Sequence, residues 1–270
     1  MSERVSITIT NGVADVRMTR PDKMNALDPA MFAALAEAGE QLKTEPGVRV
    51  VVLSGEGRAF CAGLDMGSMA AMAGSGPRDT STASVSAIAE GRITHLGQQV
   101  CWVWQELPVP VIAAVHGVAL GGGIQLALGA DIRIVSPDVK MSVLEVKWGL
   151  VPDMAGTHRL AQLVRADIAL ELAATGRMVD GNEAVRIGLA THVSETPYED
   201  AHALAGQIAG RSPHAVRGVK ELVRAAFAGA DAATQFASER RIIGGLIGTA
   251  NQVESVKAGF EKREAIFTEV

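Results

Sequence analysis

The stretch that decides the fold is residues 111–130, VIAAVHGVALGGGIQLALGA. Five apolar residues open it, a cluster of glycines follows, and a second apolar run closes it. Pro110, His116, Gln125 and the glycines interrupt the run, so it does not form the continuous apolar helix of about 20 residues that spans a membrane. The pattern predicts a buried strand, a glycine turn and a buried helix.

The segments before this stretch alternate between strand and helix signals. Residues 5–9 and 13–18 are two β-type runs around an Asn-Gly pair, which predicts a hairpin. Residues 48–53 form an unbroken apolar run, typical of a strand buried on both faces. A long helix is expected over residues 85–107. Strands separated by helices indicate an α/β arrangement with crossover connections.

Helix start signals are clear at several other points. Asp28 precedes Pro29, an N-cap and a first-turn proline for a helix that runs to about residue 43. Residues 131–135 predict another strand, and from about residue 156 onward the pattern is helical. Asp180 with Glu183 three residues later starts one of these C-terminal helices. Residues 66–84 are rich in Gly, Ser, Ala and Thr, which predicts a surface loop with a helical turn or two.

Composition excludes several classes of protein. The chain has 270 residues, of which 48% are hydrophobic and 20% charged, as in a soluble globular protein with a sizeable core. Thirty acidic residues against 25 basic ones give a net charge of −5, which disfavours a general nucleic-acid binder. Two cysteines cannot make a disulfide framework, and the first ten residues lack the basic and apolar regions of a secretion signal. We therefore expect a reduced, cytoplasmic protein.

Three common catalytic motifs fail on spacing. Residues 117–123 follow a strand, but they lack the GxGxxG spacing and the Lys-Ser or Lys-Thr pair of nucleotide-binding loops. No serine lies between two glycines at the spacing of the hydrolase nucleophile elbow. The six histidines form no short metal-binding spacing, so we expect no metal.

The glycines allow a different kind of site. A glycine cluster that opens a helix near Gly122 presents unpaired backbone N–H groups at the positive end of the helix dipole, which suits an anion or oxyanion. In residues 59–65, AFCAGLD, Gly63 can turn the chain so that the Leu64 amide points into a pocket. Taken alone, the first cluster favours close packing of helix on strand, and the second an ordinary turn.

Four motifs together resemble the crotonase superfamily, the enoyl-CoA hydratase/isomerase family. They are RPDKMNAL at 20–27, AFCAGLD at 59–65, AAVHG through GGG at 113–123, and GLVP at 149–152. The resemblance implies a crotonase-like spiral of ββα units over residues 1–200, which holds an acyl-CoA site. It implies a helical C-terminal region over residues 201–270 that packs trimers, often paired into hexamers, through an apolar face that includes Ile242, Ile243, Leu246 and Ile247.

The resemblance also implies a coenzyme A thioester as substrate and no further cofactor. In the family, two backbone amides hold the thioester carbonyl, and they match Leu64 and Gly122. Their purpose is physical, because proton removal next to a thioester, or addition at its β-carbon, places negative charge on the carbonyl oxygen. Loss of one such donor typically costs about 3 kcal/mol.

Hydratases of the family use two glutamates, and here only the second is a carboxylic acid. It matches Glu145, whereas the first falls on Gln125, which cannot accept a proton at neutral pH. On this pattern, Gln125→Glu is expected to speed hydration. Eight residues beyond Glu145 stands Asp153, a position at which dienoyl-CoA isomerases of the superfamily carry a second acid, although they also carry an aspartate where Gln125 stands. From the residues alone, Glu145 can equally be a solvated charge and Asp153 an N-cap.

Coenzyme binding in the family uses backbone from the segments that match Asn25, Ala26 and Ala62. A basic residue near the C-terminus, often from a neighbouring subunit, meets the ribose phosphate, and Lys262 matches it. The alternative for Lys262 is a solvated surface charge. Met66, Met69 and Met72 recur at helical spacing and either line a deformable acyl pocket or pack in the core.

The leading hypothesis is an acyl-CoA enzyme of the hydratase/isomerase type, a lyase or isomerase that moves protons with Glu145. One alternative is a dienoyl- or enoyl-CoA isomerase that uses Glu145 and Asp153. The other is a CoA-binding protein with little turnover, because Gln125 replaces a hydratase glutamate. No Lys/Arg-rich helix supports an RNA-binding role, so we expect neither nucleic acid nor membrane as a partner.

Overall fold

A computed structural model of the chain describes residues 4–74, 88 and 91–269. The strands among these residues form a six-stranded and a two-stranded sheet. Their bounds are β1 Val5–Thr10, β2 Val13–Met18, β3 Val50–Gly55, β4 Val111–Val115, β5 Val118–Leu120, β6 Ile132–Val135, β7 Lys140–Ser142 and β8 His192–Val193.

The larger sheet has the strand order β1-β2-β3-β4-β6-β8, and β5 pairs with β7 in the smaller one. Strands β1 and β2 are antiparallel, as the predicted hairpin requires, and all other neighbours are parallel. Leu53 lies opposite Val16 on one side and Ala113 on the other, which fixes the register of the three central strands. The predicted α/β class is therefore confirmed.

Helices connect the parallel strands and follow them. Their bounds are α1 Pro29–Thr44, α2 Met66–Gly74, α3 Leu96–Glu106, α4 Gly122–Gly129, α5 Gly156–Leu163, α6 Ala166–Thr175, α7 Gly181–Arg186, α8 Pro197–Ala209, α9 Pro213–Phe227, α10 Ala232–Leu246 and α11 Ala250–Glu261. The predicted caps are confirmed, because the Asp28 carboxylate accepts from the Met31 amide at 2.8 Å and that of Asp180 from the Glu183 amide at 2.8 Å.

The central strands are buried on both faces, as their apolar runs predict. Val51 and Leu53 of β3 join a core that includes residues of α1 and α3. Val50 and Val52 point the other way, into a second cluster with the alanines at 201, 205 and 209 of α8. Small residues on α8 let this helix lie close to the sheet.

Two expectations about element bounds are corrected. The helix expected over residues 85–107 begins only at Leu96 in the part of the chain that is described, because His95 caps it: its Nδ1 accepts from the Gly97 amide at 3.1 Å, and its own amide donates to the Gln98 side chain at 3.3 Å. The C-terminal third also contains a strand, β8, whose two residues extend the sheet beside β6.

The Gly/Ser-rich stretch begins as a helix, α2, and residues 75–84 of the expected loop lie outside the described residues. The division into residues 1–200 and 201–270 stays a prediction. Helix α8 runs across that boundary and packs on the sheet. Among the described helices, none combines the length and the apolar character needed to cross a membrane.

Candidate active site

The motifs that carry the resemblance meet at one cavity of about 1710 Å³. The loop after β3 contributes Leu64, and the start of α4 contributes Gly122. The segment between β7 and α5 contributes Glu145 and Asp153. Residues that are 8 to 89 positions apart in the chain therefore line one cavity, as the resemblance implies.

The two expected oxyanion amides lie beside each other. Gly63 has φ +88°, and a Cβ atom built on it would lie 3.6 Å from the Gly122 nitrogen. Two backbone hydrogen bonds to Leu27 fix the 63–65 segment. The Leu27 amide donates to the Gly63 carbonyl at 2.7 Å, and the Leu27 carbonyl accepts from the Asp65 amide at 3.0 Å. Gly122 is the first residue of α4, so its N–H has no acceptor within the helix.

Glu145 lies in a short 3₁₀ turn, Glu145–Trp148, and one of its carboxylate oxygens is already engaged. Its Oε1 accepts from the Gln125 side-chain amide at 2.6 Å. Its Oε2 is buried and has no hydrogen-bond partner among the described residues. Burial raises the pKa of Glu145, hydrogen bonds from its own backbone and from Gln125 lower it, and the nearby charge of Asp153 raises it, so the net pKa lies above the ordinary value. Such a carboxyl suits proton transfer near neutral pH.

Gln125 lies in α4 and is buried behind Glu145. Its side-chain oxygen accepts from the backbone amides of Met154 at 2.9 Å and Gly156 at 3.0 Å, and its Nε2 donates to Glu145. Gln125 is not among the described residues that line the cavity, whereas Glu145 is. The glutamine at the position of the hydratase glutamate therefore contacts the acid and not the cavity.

Asp153 is exposed on the cavity wall. The N-cap of α5 is Ala155, so the capping role considered for Asp153 is not the one the structure shows. Its charge acts on the carboxyl of Glu145, which places the two acids within electrostatic range of each other. The pair expected from the isomerase resemblance thus shares one cavity.

Of the four residues expected to bind coenzyme A, two line the cavity and two are not among its described lining residues. Ala26 and Ala62 line the cavity. The Asn25 side chain is fully buried and holds the surrounding loops, because it accepts from the Arg20 amide at 2.9 Å and donates to the carbonyls of Glu56 and Ala59. Lys262 follows α11 with φ 52° and is not among the described residues that line the cavity.

An ion pair in the cavity wall, between Arg20 and Asp65, was missed by the sequence reasoning. Arg20 donates to the Asp65 carboxylate at 2.8 Å and to the Ala26 carbonyl at 3.1 Å. Hydrogen bonds from the Gly67 amide and from Arg20 lower the pKa of Asp65. Arg20 and Asp65 both belong to motifs that carry the resemblance, so the signal was present, but only the fold shows that the two motifs touch.

The rest of the cavity wall is mainly apolar. Met66 and Met69 line it, as the methionine spacing suggested, whereas the side chain of Met72 lies outside what the structure describes. Further apolar lining residues, which sequence reasoning did not single out, are Phe32, Leu96, Trp148, Leu150 and Val151. Among the described residues, no group of three or more His, Cys, Asp and Glu side chains is arranged to hold a metal ion.

Fold and cavity together define an α/β class of protein in which a glycine-rich helix start and a half-buried carboxylate line one cavity. The enoyl-CoA hydratase/isomerase family model matches residues 8–270, and the chain belongs to this family, within the crotonase superfamily. Both the expected family and the expected crotonase-type fold are confirmed.

Similar proteins include acyl-CoA enzymes of several kinds. The chain is 32% identical to (E)-benzylidenesuccinyl-CoA hydratase of Thauera aromatica, over 97% of this chain and 98% of that protein. It is 36% identical to carnitinyl-CoA dehydratase of Proteus mirabilis, over 83% and 82%. Among solved structures, enoyl-CoA hydratase of Bacillus anthracis has a TM-score of 0.84 at 31% identity, and that of Mycobacterium tuberculosis 0.82 at 30%, each over 98% of both chains.

Proposed function

We propose that this enzyme adds a nucleophile to, or eliminates it from, the β-carbon of an acyl-CoA thioester, through an enolate held by the amides of Leu64 and Gly122. The observation that carries the proposal is the Glu145 carboxylate, which lines the same cavity as Leu64 and Gly122 and has one buried oxygen without a partner among the described residues. Acyl-CoA processing is the common activity of the family and of the similar proteins named above.

The two amides supply the electrostatic part of the reaction. Negative charge grows on the thioester oxygen when a proton leaves the α-carbon or when water attacks the β-carbon. Backbone N–H groups that already point at that oxygen stabilise it without reorganisation. No cofactor is needed beyond the coenzyme A of the substrate, because charge is held by the backbone and protons are moved by side chains.

Glu145 supplies the proton transfer. Its carboxyl is half-buried and has a raised pKa. The protonated and the ionised forms therefore coexist at a pH closer to neutral than they do for an ordinary glutamate. In hydration, the ionised form takes a proton from the attacking water and the protonated form returns one to the α-carbon. Because Gln125 cannot carry a proton, Glu145 serves both steps in this reaction.

A second candidate, double-bond isomerisation, is favoured by the position of Asp153. It lies on the same cavity wall as Glu145, and its charge raises the pKa of that carboxyl. Two acids along one acyl chain can remove a proton at one carbon and return it at another. In this reaction Glu145 and Asp153 divide the roles of base and acid.

An acyl-CoA panel distinguishes these candidates. Hydration is followed by loss of the conjugated-thioester absorbance, and isomerisation by the product's NMR spectrum in deuterated water. We expect Glu145→Gln to lose at least 100-fold in kcat for either reaction, within the usual range of general acid/base effects. Asp153→Asn is expected to lose at least tenfold only if isomerisation is the activity. The matched control is Glu195→Gln, an exposed carboxylate that is not among the cavity-lining residues. Full activity of Glu145→Gln would contradict the proposal.

We propose a homotrimer or a dimer of trimers, located in the reduced cytoplasm. The C-terminal helices carry large exposed apolar side chains, among them Phe236 and Ile243 of α10 and Ile247 directly after it, and such a face is stabilised by a second copy of the chain. Both cysteines are buried free thiols, which suits a reducing compartment. Sedimentation at micromolar concentration tests the assembly, and a stable monomer would contradict it.

A further inference from the structure

We propose that Gln125 is a positioning residue, which fixes the orientation of the Glu145 carboxylate and ties it to the segment that carries Asp153. This inference rests on the proposed function, in which Glu145 moves the proton. It assigns to Gln125 a role other than that of the hydratase glutamate whose position it occupies.

The hydrogen bonds of Gln125 leave its side-chain amide only one orientation. Its Oε1 accepts from two backbone N–H groups, those of Met154 at 2.9 Å and Gly156 at 3.0 Å. A flipped amide would set its NH₂ group against these two donors and its oxygen against the Glu145 carboxylate. The Nε2 atom therefore has to face Glu145, which it meets at 2.6 Å.

This contact decides which carboxylate oxygen of Glu145 the protein itself engages. Gln125 engages Oε1 of Glu145 and leaves Oε2 without a partner among the described residues. A glutamate has three side-chain torsions, and a single strong donor to a half-buried carboxylate removes much of that freedom. The carboxylate is thus held in one orientation before the substrate arrives, which is the property that a proton-transfer group needs.

The same side chain connects Glu145 to the segment that carries Asp153. Met154 and Gly156, whose amides bind Gln125, are one and three residues beyond Asp153 in the chain. The Met154 side chain also packs beside Gly122, since a Cβ atom built on Gly122 would lie 2.9 Å from its sulfur. Displacement of Gln125 therefore moves the Glu145 carboxylate and the 153–156 segment together.

This geometry gives Gln125→Glu the opposite effect from the one expected on the family pattern. One oxygen of the new carboxylate would keep the two backbone donors, which favour its ionised form. The other oxygen would replace Nε2, close to 2.6 Å from Oε1 of Glu145. Two carboxylates at that distance share one proton and titrate as a pair, so Glu145 loses its ionised form over a wider pH range. The variant gains no independent second acid.

The pH dependence of kcat/KM tests this role in three variants. Gln125→Met removes the donor, and Gln125→Glu replaces it with a charge. Gly156→Ala disturbs Gln125 without changing it, because the new Cβ would lie 2.5 Å from its Oε1. In all three, we expect the acidic limb of the profile to move to higher pH and kcat/KM at pH 7 to fall at least tenfold. The fall should be mainly in kcat, since thioester binding does not use Gln125.

Gly206→Ala is the matched control, because Gly206 lies within α8 and a Cβ there meets no atom within 4 Å. Circular dichroism and sedimentation check that each variant is folded, and Gly156→Ala keeps the test valid if Gln125→Met does not fold. An unshifted acidic limb in the folded variants, or faster hydration by Gln125→Glu, would overturn the positioning role. Full activity of Glu145→Gln would instead overturn the proposed function, so the two failures are distinguishable.

Discussion

Replacement of Gly63 by alanine tests the oxyanion amides without touching any acid. Gly63 has φ +88°, and a Cβ atom there would lie well inside 3.0 Å of the Leu120 carbonyl oxygen, a separation that real Cβ atoms essentially never show. The obstacle is backbone, which cannot rotate away. The 63–64 segment therefore has to move, and the Leu64 amide moves with it.

The size of the effect follows from the distances. An ordinary van der Waals contact needs 3.4 Å or more, so the backbone has to shift by about 1 Å. A misplacement of about 1 Å in a catalytic group can cost roughly 10²-fold in rate, and full loss of one oxyanion donor costs roughly 10²- to 10³-fold in kcat. We expect Gly63→Ala to lose about 10²-fold in kcat. Stability should also fall by more than the roughly 1–2 kcal/mol that alanine costs at positive φ, because the clash with the Leu120 carbonyl adds to that strain.

The assay is steady-state kinetics with the best substrate of an acyl-CoA panel, together with a denaturant titration. Gly229→Ala is the matched control: Gly229 has φ +86°, but a Cβ there meets no atom within 4 Å. Gly229→Ala should lose only the roughly 1–2 kcal/mol of stability that positive φ costs, and it should keep its activity. Equal kcat values for wild type and Gly63→Ala would refute the assignment of the Leu64 amide to the oxyanion site.

Three further predictions concern charge and capping. Because burial raises the pKa of Glu145, the ionised carboxylate is lost as the pH falls through that raised pKa. The acidic limb of the kcat/KM profile should therefore lie above the ordinary glutamate pKa of about 4.3, and a limb at or below that pH would contradict the prediction. Lys220→Met removes the buried amine that lies 2.7 Å from the Asp131 carboxylate, which loses its ion-pair partner and keeps the hydrogen bond from the Val111 amide. We expect a loss of about 3 kcal/mol in the free energy of unfolding by urea titration, and no loss would show that the ion pair is dispensable. Asp28→Ala removes the side chain that caps α1 and that also pairs with Arg4 at 2.9 Å, so it should cost at least about 1 kcal/mol in the same titration. An unchanged midpoint would contradict the capping role.

Much of the fold could be predicted because its signals are local. The Asn-Gly turn set the β1–β2 hairpin, and Asp28 followed by Pro29 set the start of α1. An unbroken apolar run identified β3 as a strand buried on both faces. By contrast, the two residues of β8 are too few for a periodic pattern, and their pairing with β6 depends on the sheet being in place.

The site could be predicted only in part, because its key contacts join residues that are far apart in the sequence. The resemblance brought Glu145, Asp153, Leu64 and Gly122 to one cavity, and the structure places all four there. The resemblance identified Gln125 only as a position that lacks the family's glutamate, because a motif shows residue types and not the contacts between them. The hydrogen bond to Glu145 joins residues 20 positions apart in two separate elements, and no local pattern encodes it.

Exchange of the α-protons of a saturated acyl-CoA with deuterated water tests the central claim most directly, because it requires the enolate and no later step. Mass spectrometry of the recovered thioester gives the rate. Native enzyme should catalyse the exchange, Glu145→Gln should slow it at least 100-fold, and Glu195→Gln should not change it. If native enzyme and Glu145→Gln exchange these protons at the same rate, Glu145 is not the group that moves the proton and the account is contradicted.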